Sequence, residues 1–438
     1  MLVGIVQVVI HTAHPLSGYR GRIVDAELDE LLQDLPAVSL EGPRGVGKTS
    51  TAREKGATLI ALDDADALEV IRADPRRLAI GAEPIVVDEW QRFTSSWDVV
   101  RRSVDDDRRA GRFILTGSAS PSTPPTHSGA GRIVPIRMRP MTLFERGVGS
   151  PTVSLAELLG GGTPTLRGRT SVDLEDYVDE ILTGGFPGMR LPAGRAQRAA
   201  LDGYLTRIID RDLPDMGVRI RNPAAMRRWL GAYAAATATT TSYEKIRDAA
   251  TGGENEKPAR TTTIPYRDAL ERLWVLDPLT AWAPTNNHLS RLAAAPKHHL
   301  ADPALAARLV GIDSGALLHG GGPTLSNRDG TFLGALFESL VTLNMRVFAQ
   351  AAEANVHHFR THSGVHEVDL IVVRDDQRAV AVEVKLTAAV QDDDVRHLLW
   401  LRETLGNELL DAIVVSTGAE AYRRDDGIGV VPAALLGP

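Results

Sequence analysis

A chain of 438 residues has room for about three domains, at roughly 150 residues each. Its residues are 43% hydrophobic and 24% charged, proportions typical of an ordinary globular protein, which argues against a disordered chain or a membrane protein. The net charge of −7 excludes a positive field over the whole surface, so contact with nucleic acid would need a local basic patch.

The chain contains no cysteine, which excludes disulfide bonds, thiolate zinc sites and a cysteine nucleophile. This fits a reducing compartment, and we expect a cytoplasmic protein. The first ten residues, Met1–Ile10, are apolar, but they lack the basic start and cleavage site of a signal peptide and are too short to span a bilayer. We therefore expect a strand or an upstream extension there, and no membrane association.

A phosphate-binding loop follows the first buried strand. An amphipathic helix is predicted over Asp25–Gln33 and a short strand over Pro36–Leu40. The spacing G-x-x-x-x-G-K-T comes next, in the residues Gly42, Pro43, Arg44, Gly45, Val46, Gly47, Lys48, Thr49 and Ser50. In such a loop backbone N–H groups surround phosphate oxygens, the lysine reaches the β and γ phosphates, and the threonine hydroxyl binds Mg²⁺. ATP and Mg²⁺ are therefore the expected cofactors.

Two carboxylates stand at the end of a later apolar strand within Glu83–Gln91. Ligands of open α/β sheets collect at the carboxyl ends of the strands. Beside a phosphate-binding loop, Asp88 is predicted to bind Mg²⁺, and Glu89 to position or deprotonate the attacking water. A solvated strand end is the alternative interpretation.

The next strand, Gly111–Ser118, ends in hydroxyl groups. Thr116 or Ser118 is predicted to be a polar sensor between Asp88 and the γ-phosphate. Beyond a loop rich in Ser, Thr, Pro and Gly, Arg132 is a candidate for stabilising transition-state charge, in its own site or in a neighbour's, which would imply a homo-oligomer. A surface arginine is the alternative. The alternation of strands and helices predicts a parallel sheet in a domain over residues 1–148.

A Gly-, Pro- and Thr-rich stretch over Gly147–Thr170 predicts the first domain boundary. Residues 149–218 are then predicted to be a linker and a helical lid. Residues 219–321 are predicted to be a winged-helix-like domain, with helices over Tyr243–Ala250 and Ile264–Leu276.

The wing of that domain is predicted over Leu273–Leu279. DNA is the expected partner, bound in its groove by side chains around the second helix, namely Arg260, Thr261, Thr262, Thr263, Tyr266 and Arg267. Packing against protein alone is an equally supported alternative. The strongest local basic patch consists of Arg219, Arg221, Arg227 and Arg228.

A second set of charged residues lies in the last block, residues 322–438. Glu338 faces the apolar side of a predicted helix, and two strands joined by a short turn carry Asp369 on the first and Glu383 and Lys385 on the second. Two carboxylates bind a divalent metal, here Asp369 and Glu383, and a nearby lysine can orient the water that attacks a phosphodiester. The spacing is that of the PD-(D/E)XK nuclease core, and a hairpin with a charged polar face is the alternative.

With these motifs in place, almost the whole chain resembles a large bacterial and archaeal family of AAA-type P-loop ATPases with a C-terminal domain of unknown function. Besides the loop itself, the resemblance rests on the motifs V-V-D-E-W-Q, I-L-T-G-S, R-P-M-T-L-F-E (Arg139–Glu145), G-G-F-P, Y-L-T-R-I-I-D-R-D (Tyr204–Asp212), P-K-H-H-L-A-D (Pro296–Asp302), L-F-E, E-V-D-L and V-E-V-K. It implies an α/β multidomain protein with a helical lid, a winged-helix segment and a restriction-endonuclease-like end.

The resemblance also implies two sites. The nucleotide site would use Lys48, Thr49, Asp88 and Glu89, and the nuclease-like site Glu338, Asp369, Glu383 and Lys385. The expected function is a Mg²⁺-dependent ATPase coupled to DNA binding or cleavage. The alternative is a nucleotide-dependent switch whose nuclease-like module does not cut.

Overall fold

The computed structural model describes residues 11–12, 18–117, 127–251, 259–283, 295–319, 330–361 and 364–438. The chain folds as two units. The first comprises residues 1–139, 211–219 and 268–275, and the second comprises residues 140–210, 220–267 and 276–438. The predicted division into four domains stays a prediction.

The first unit is built on a six-stranded sheet. Its strands are β1 (His11–Thr12), β2 (Ala37–Glu41), β3 (Thr58–Ala61), β4 (Ile85–Asp88), β5 (Phe113–Gly117) and β6 (Val134–Arg137). Their order across the sheet is β1-β3-β4-β5-β2-β6, and β1 alone of these strands pairs antiparallel. Strands β4 and β5 are buried along their whole length, as expected for parallel strands covered on both faces. The predicted parallel α/β sheet is confirmed.

Helices and aromatic side chains cover this sheet. The longer helices of the first unit are Val24–Asp34, Lys48–Lys55, Ala65–Ala73 and Ser95–Asp106, with shorter turns at Pro75–Ala79, Trp90–Phe93 and Leu213–Asp215. Trp90 and Trp97 pack with ring centroids 4.7 Å apart in a core cluster that includes Ile85 and Val87 of β4 and Phe113 and Leu115 of β5. Trp90 begins the turn that follows Asp88 and Glu89, so this packing lies next to the predicted nucleotide site.

The second unit contains a mixed eight-stranded sheet. The strands of this unit are β7 (Val153–Ser154), β8 (Gly168–Arg169), β9 (Ala281–Trp282), β10 (Asn355–Arg360), β11 (Glu367–Val373), β12 (Ala379–Lys385), β13 (Leu409–Ser416), β14 (Glu420–Arg423), β15 (Gly429–Pro432) and β16 (Leu436–Gly437). The order of the large sheet is β8-β14-β15-β13-β12-β11-β10-β9, while β7 pairs with β16. Strands β11 and β12 pair antiparallel, so the hairpin expected from the sequence forms.

The helices of the second unit surround that sheet or form the region before it. They are Leu143–Arg146, Leu155–Gly160, Leu174–Thr183, Pro187–Arg190, Gly194–Arg207, Pro223–Ala235, Tyr243–Ala249, Pro303–Val310, Ser314–His319, Gly330–Ala351 and Asp392–Leu405. The helix Arg260–Arg272 and the π-helical turn Ile208–Asp212 each cross from one unit to the other.

Among the described residues, the helix Gly330–Ala351 contains one stretch, Phe332–Ala351, that is long and apolar enough to cross a membrane. Within this stretch, 67% of an 18-residue segment is buried inside the protein. This helix packs against β10, β11 and β12, which is the position of a core helix.

The predicted wing strand over Leu273–Leu279 is wrong. Helices do form at Tyr243–Ala249 and Arg260–Arg272, but the segment after them makes only two isolated bridges, from Leu276 and Leu279. Trp274 has φ +61°, a left-handed conformation that a regular strand does not contain.

Candidate functional site

The phosphate-binding loop depends on three glycines. Gly42, Gly45 and Gly47 have φ values of +154°, +75° and +109°. A Cβ atom at Gly42 would lie 2.1 Å from the carbonyl oxygen of Met138, so a side chain has no room there. Gly47 is the N-cap of the helix Lys48–Lys55. The loop therefore delivers the chain into a helix N-terminus, which favours an anion.

The Lys48 ammonium is held by backbone oxygens inside this loop. Its Nζ donates hydrogen bonds to the carbonyl oxygens of Gly42 and Pro43, both at 2.8 Å, and the residue is 6% exposed. Burial lowers the pKa of Lys48 to about 8, and the nearby Glu89 and Asp88 carboxylates oppose that shift. Because the two carbonyl acceptors are neutral, they hold the ammonium without cancelling its charge.

Two sequence-predicted residues, Thr49 and Thr116, contact a third, Asp88. Thr49 Oγ1 donates a hydrogen bond to Asp88 Oδ1 at 2.9 Å, and Thr116 Oγ1 donates to the same oxygen. This contact arises because β5 lies between the loop strand β2 and the Asp88 strand β4. Burial raises the pKa of Asp88, whereas the two hydroxyl groups act to lower it.

The same atoms fit a magnesium ion. Mg²⁺ prefers hard oxygen ligands and is usually held by one or two protein groups together with water and phosphate. The Thr49 hydroxyl and the Asp88 carboxylate, whose oxygens lie 2.9 Å apart, are such ligands. These residues would hold the metal of a bound nucleotide.

Glu89 directly follows Asp88 in a strained backbone conformation, with φ +54° and ψ +42°. Non-glycine residues in this region are uncommon and cluster at functional sites. Gln91 Nε2 donates a hydrogen bond to Glu89 Oε2 at 2.5 Å, so Gln91 orients this carboxylate. We did not single out Gln91 from the sequence, although it belongs to the motif V-V-D-E-W-Q.

The remaining nucleotide-site predictions have different outcomes. Arg44 forms an ion pair with Asp212 at 2.5 Å. Arg132 pairs with Asp105 at 2.9 Å, and both side chains are partly exposed, so this arginine lies in a surface ion pair of its own chain. Its role as a finger stays a prediction. Ser118 lies outside the described residues.

Arg137 is a charged neighbour of the site that sequence analysis missed. It ends β6 opposite Glu41 of β2, and its charge acts on both Glu41 and Lys48. Burial raises the pKa of Glu41, while Arg137 and Lys48 oppose that shift. The Arg137 guanidinium stacks on Trp274, 3.4 Å from the ring centroid. Only the strand order, which puts β6 beside β2, reveals this proximity.

The charged residues of the C-terminal region also converge, but around a lysine. Lys297 Nζ lies 2.9 Å from Glu338 Oε1, 2.9 Å from Asp369 Oδ1 and 3.2 Å from Glu367 Oε1. We call Lys297, Glu338, Glu367, Asp369, Glu383 and Lys385 the charged cluster. Neither Lys297 nor Glu367 was predicted as a site residue, although Lys297 lies in the motif P-K-H-H-L-A-D.

A second ion pair completes the charged cluster. Lys385 Nζ donates a hydrogen bond to Glu383 Oε1 at 2.8 Å, and the Val384 N–H donates to Asp369 Oδ2 at 2.9 Å. Burial, reinforced by the charge of Asp369, raises the pKa of both Glu338 and Glu383 to about 8. Burial alone would also raise the pKa of Asp369, but Lys297 and the Val384 N–H outweigh it and lower that pKa.

The predicted metal at Asp369 and Glu383 does not fit this arrangement. An ammonium already lies where Glu338, Asp369 and Glu367 converge. Among the described residues, no group of three or more His, Cys, Asp or Glu side chains has an arrangement that could hold a metal ion.

Comparison with known proteins agrees with the nucleotide site. Residues 34–146 match the family model of an AAA domain. Residues 174–316 and 333–436 match two domains of unknown function, DUF8612 and DUF4143. Uncharacterised proteins of Mycobacterium bovis and Mycobacterium tuberculosis are each 29% identical to this chain over 415 residues, which is 93% of this chain and 82% of theirs.

Among solved structures, the Walker-type ATPase of Pyrococcus abyssi matches with 15% identity and a TM-score of 0.40, over 70% of this chain and 99% of that one. The winged-helix and nuclease-like parts of the expected family stay predictions. The AAA match and the sheet with its phosphate-binding loop identify residues 34–146 as an AAA-type P-loop ATPase domain.

Proposed function

We propose that this protein binds ATP together with Mg²⁺ and hydrolyses it. The observation that carries the proposal is the meeting of Thr49, Asp88 and Thr116 beside the buried ammonium of Lys48. A nucleotide phosphate requires a cation, and Lys48 is a cation held only by neutral acceptors. The metal of the nucleotide requires a carboxylate, and Asp88 is a carboxylate held by two hydroxyl groups.

Each residue then has a distinct task. The loop N–H groups and the helix N-terminus hold the phosphates, and Lys48 moves from its carbonyl partners to the β and γ oxygens. Thr49 and Asp88 would hold Mg²⁺, which would supply positive charge to the phosphate oxygens. Glu89, oriented by Gln91, positions the attacking water and takes its proton. The cytoplasmic location and the homo-oligomer implied by an Arg132 finger rest on the sequence alone.

Hydrolysis is proposed to serve a DNA-binding surface in the second unit. A cavity of about 340 Å³ lies at the helices Tyr243–Ala249 and Arg260–Arg272, and its lining includes the arginines and large aromatic residues Arg247, Arg260, Arg267, Trp229 and Tyr243. The Arg267 guanidinium lies 4.8 Å from the centroid of the Tyr243 ring. Guanidinium groups beside aromatic rings suit a ligand with phosphates and bases.

The C-terminal region is proposed to be a nuclease-like module that binds without cutting. Its order of a helix, three strands, a helix and a strand, from Gly330 to Ser416, supports the nuclease-like interpretation. The ammonium of Lys297 at the centre of the charged cluster favours the alternative without cleavage.

We expect Lys48→Ala to lose ATP binding, because the phosphate site loses its cation. Glu89→Gln should bind ATP but hydrolyse it about a hundredfold more slowly, because only proton transfer from water is removed. Fluorescent-nucleotide binding and phosphate release measure the two effects. Lys55→Ala is the matched control, since Lys55 lies on the same helix but pairs with Asp29 at 2.6 Å. Hydrolysis by Glu89→Gln at the wild-type rate would show that the catalytic assignment is wrong.

Thr116→Val should raise the Mg²⁺ concentration that is needed for half-maximal turnover. The Thr116 hydroxyl stabilises ionised Asp88, so its loss raises the pKa of that carboxyl further. We expect about a tenfold loss of turnover at neutral pH and an acid limb of the pH–rate profile that moves to higher pH. Turnover measured across pH and Mg²⁺ concentration tests this, with Thr116→Ser as the control that keeps the hydroxyl. An unchanged profile in the valine variant would exclude this role for Thr116.

Arg260→Ala should weaken DNA binding roughly equally for all sequences and reduce its salt dependence by about one phosphate contact. Fluorescence anisotropy with labelled single- and double-stranded DNA, at several salt concentrations and with or without ATP, measures this. Arg195→Ala, an exposed arginine on another helix, is the control. If the wild-type protein binds no DNA under any of these conditions, the DNA-binding proposal is wrong.

A further inference from the structure

The charged cluster surrounds one lysine with three carboxylates, two of which accept hydrogen bonds from it. An ammonium has three N–H donors and no acceptor. The three contacts of Lys297 Nζ, at 2.9, 2.9 and 3.2 Å, go to one oxygen each of Glu338, Asp369 and Glu367. These are hydrogen-bond lengths, longer than the 2.0–2.6 Å at which oxygen binds Mg²⁺ or Ca²⁺.

The carboxylates come from separate elements and converge on one point. Glu338 lies on the helix Gly330–Ala351, and Glu367 and Asp369 lie on β11. Carboxylates brought this close repel one another unless a cation compensates them. In this fold the compensating cation is a side chain of the chain itself.

Hydrogen bonds hold both the backbone and the side-chain ammonium of Lys297. Its backbone N–H donates to the Leu279 carbonyl at 2.9 Å, and the Leu279 N–H donates back to the Lys297 carbonyl at 2.8 Å. The Lys297 side chain is 2% exposed. A metal ion that displaced the ammonium would leave a buried charge without its partners, which is strongly unfavourable.

The other charges of the cluster leave little attraction for a divalent cation. Lys385 forms an ion pair with one oxygen of Glu383 at 2.8 Å. Together with Lys297, two of the four carboxylate charges of the charged cluster are therefore balanced by ammonium groups of the chain itself.

We propose that Lys297 is a built-in cation that occupies the place of a divalent metal in the C-terminal region, so that the charged cluster binds no Mg²⁺ or Mn²⁺. The absence of metal binding does not depend on ATP hydrolysis. Its consequence, that DNA is bound without being cut, rests on the proposed nuclease-like function of this region.

Metal titration of the full-length protein without nucleotide tests the proposal. Mn²⁺ is the probe, its binding is counted by electron paramagnetic resonance, and Tm is measured in parallel. Asp88→Asn is present in every sample, so that the nucleotide site does not contribute. In this background we expect no bound Mn²⁺ at the cluster and no rise in Tm.

Lys297→Met removes the ammonium but keeps the length of the side chain. We expect this variant to gain one equivalent of bound Mn²⁺ and a Mn²⁺-dependent rise in Tm, because the three carboxylates then lack their cation. Lys385→Met, the matched control, should gain neither, since Lys297 still holds the central position.

Two results would overturn the proposal. One is a stoichiometric Mn²⁺ site in the protein with Lys297 intact that disappears with Asp369→Asn. The other is a folded Lys297→Met variant that binds no Mn²⁺. If Lys297→Met does not fold with or without metal, the titration of the protein with Lys297 intact decides the question by itself. A separate ATPase assay of the wild type shows whether the nucleotide proposal fails independently.

Discussion

A buried ammonium must be held by oxygen atoms, and the charge of those oxygens determines what else can bind. Lys48 rests on two neutral backbone carbonyls, and its pKa falls to about 8. Lys297 rests on three carboxylates, which outweigh burial and raise its pKa well above the ordinary value. On the proposed function, the charge of Lys48 is left for an incoming phosphate because its partners are neutral, whereas three carboxylates already compensate the charge of Lys297. We propose that this difference separates a phosphate-binding site from an ion-pair cluster that binds no metal.

The nucleotide site depends on the order of strands in the sheet. Because β5 lies between β2 and β4, the Thr116 hydroxyl reaches Asp88, and Thr49 reaches the same carboxylate from the loop side. Burial would push a proton onto Asp88, and the two hydroxyl groups act against that. The two hydroxyl groups thus offset part of the effect of burial on the carboxylate that is proposed to hold Mg²⁺. The strained backbone of Glu89 begins one residue later, where the chain leaves the strand.

Local patterns were sufficient for the features that depend on neighbours in sequence. The loop, the strand ending in Asp88 and Glu89, and the β11–β12 hairpin could all be predicted from spacing and alternation. Lys297 could not, because its partners Glu338 and Asp369 lie 41 and 72 residues away. Arg132 was proposed as a finger from its residue type; it pairs with Asp105, and its role as a finger stays a prediction. The predicted wing strand was wrong because the left-handed backbone of Trp274 interrupts the apolar segment, which then makes only two isolated bridges.

The loop, Asp88 and Glu89 are proposed to form one Mg²⁺-dependent centre for ATP hydrolysis. The most direct measurement is the steady-state rate of phosphate release from ATP by the wild-type protein as Mg²⁺ is removed with a chelator and then restored. We expect hydrolysis to stop on chelation and to return in full when Mg²⁺ is added back. Hydrolysis that continues without a divalent cation, or ATP that binds with Mg²⁺ but is never hydrolysed, would contradict it.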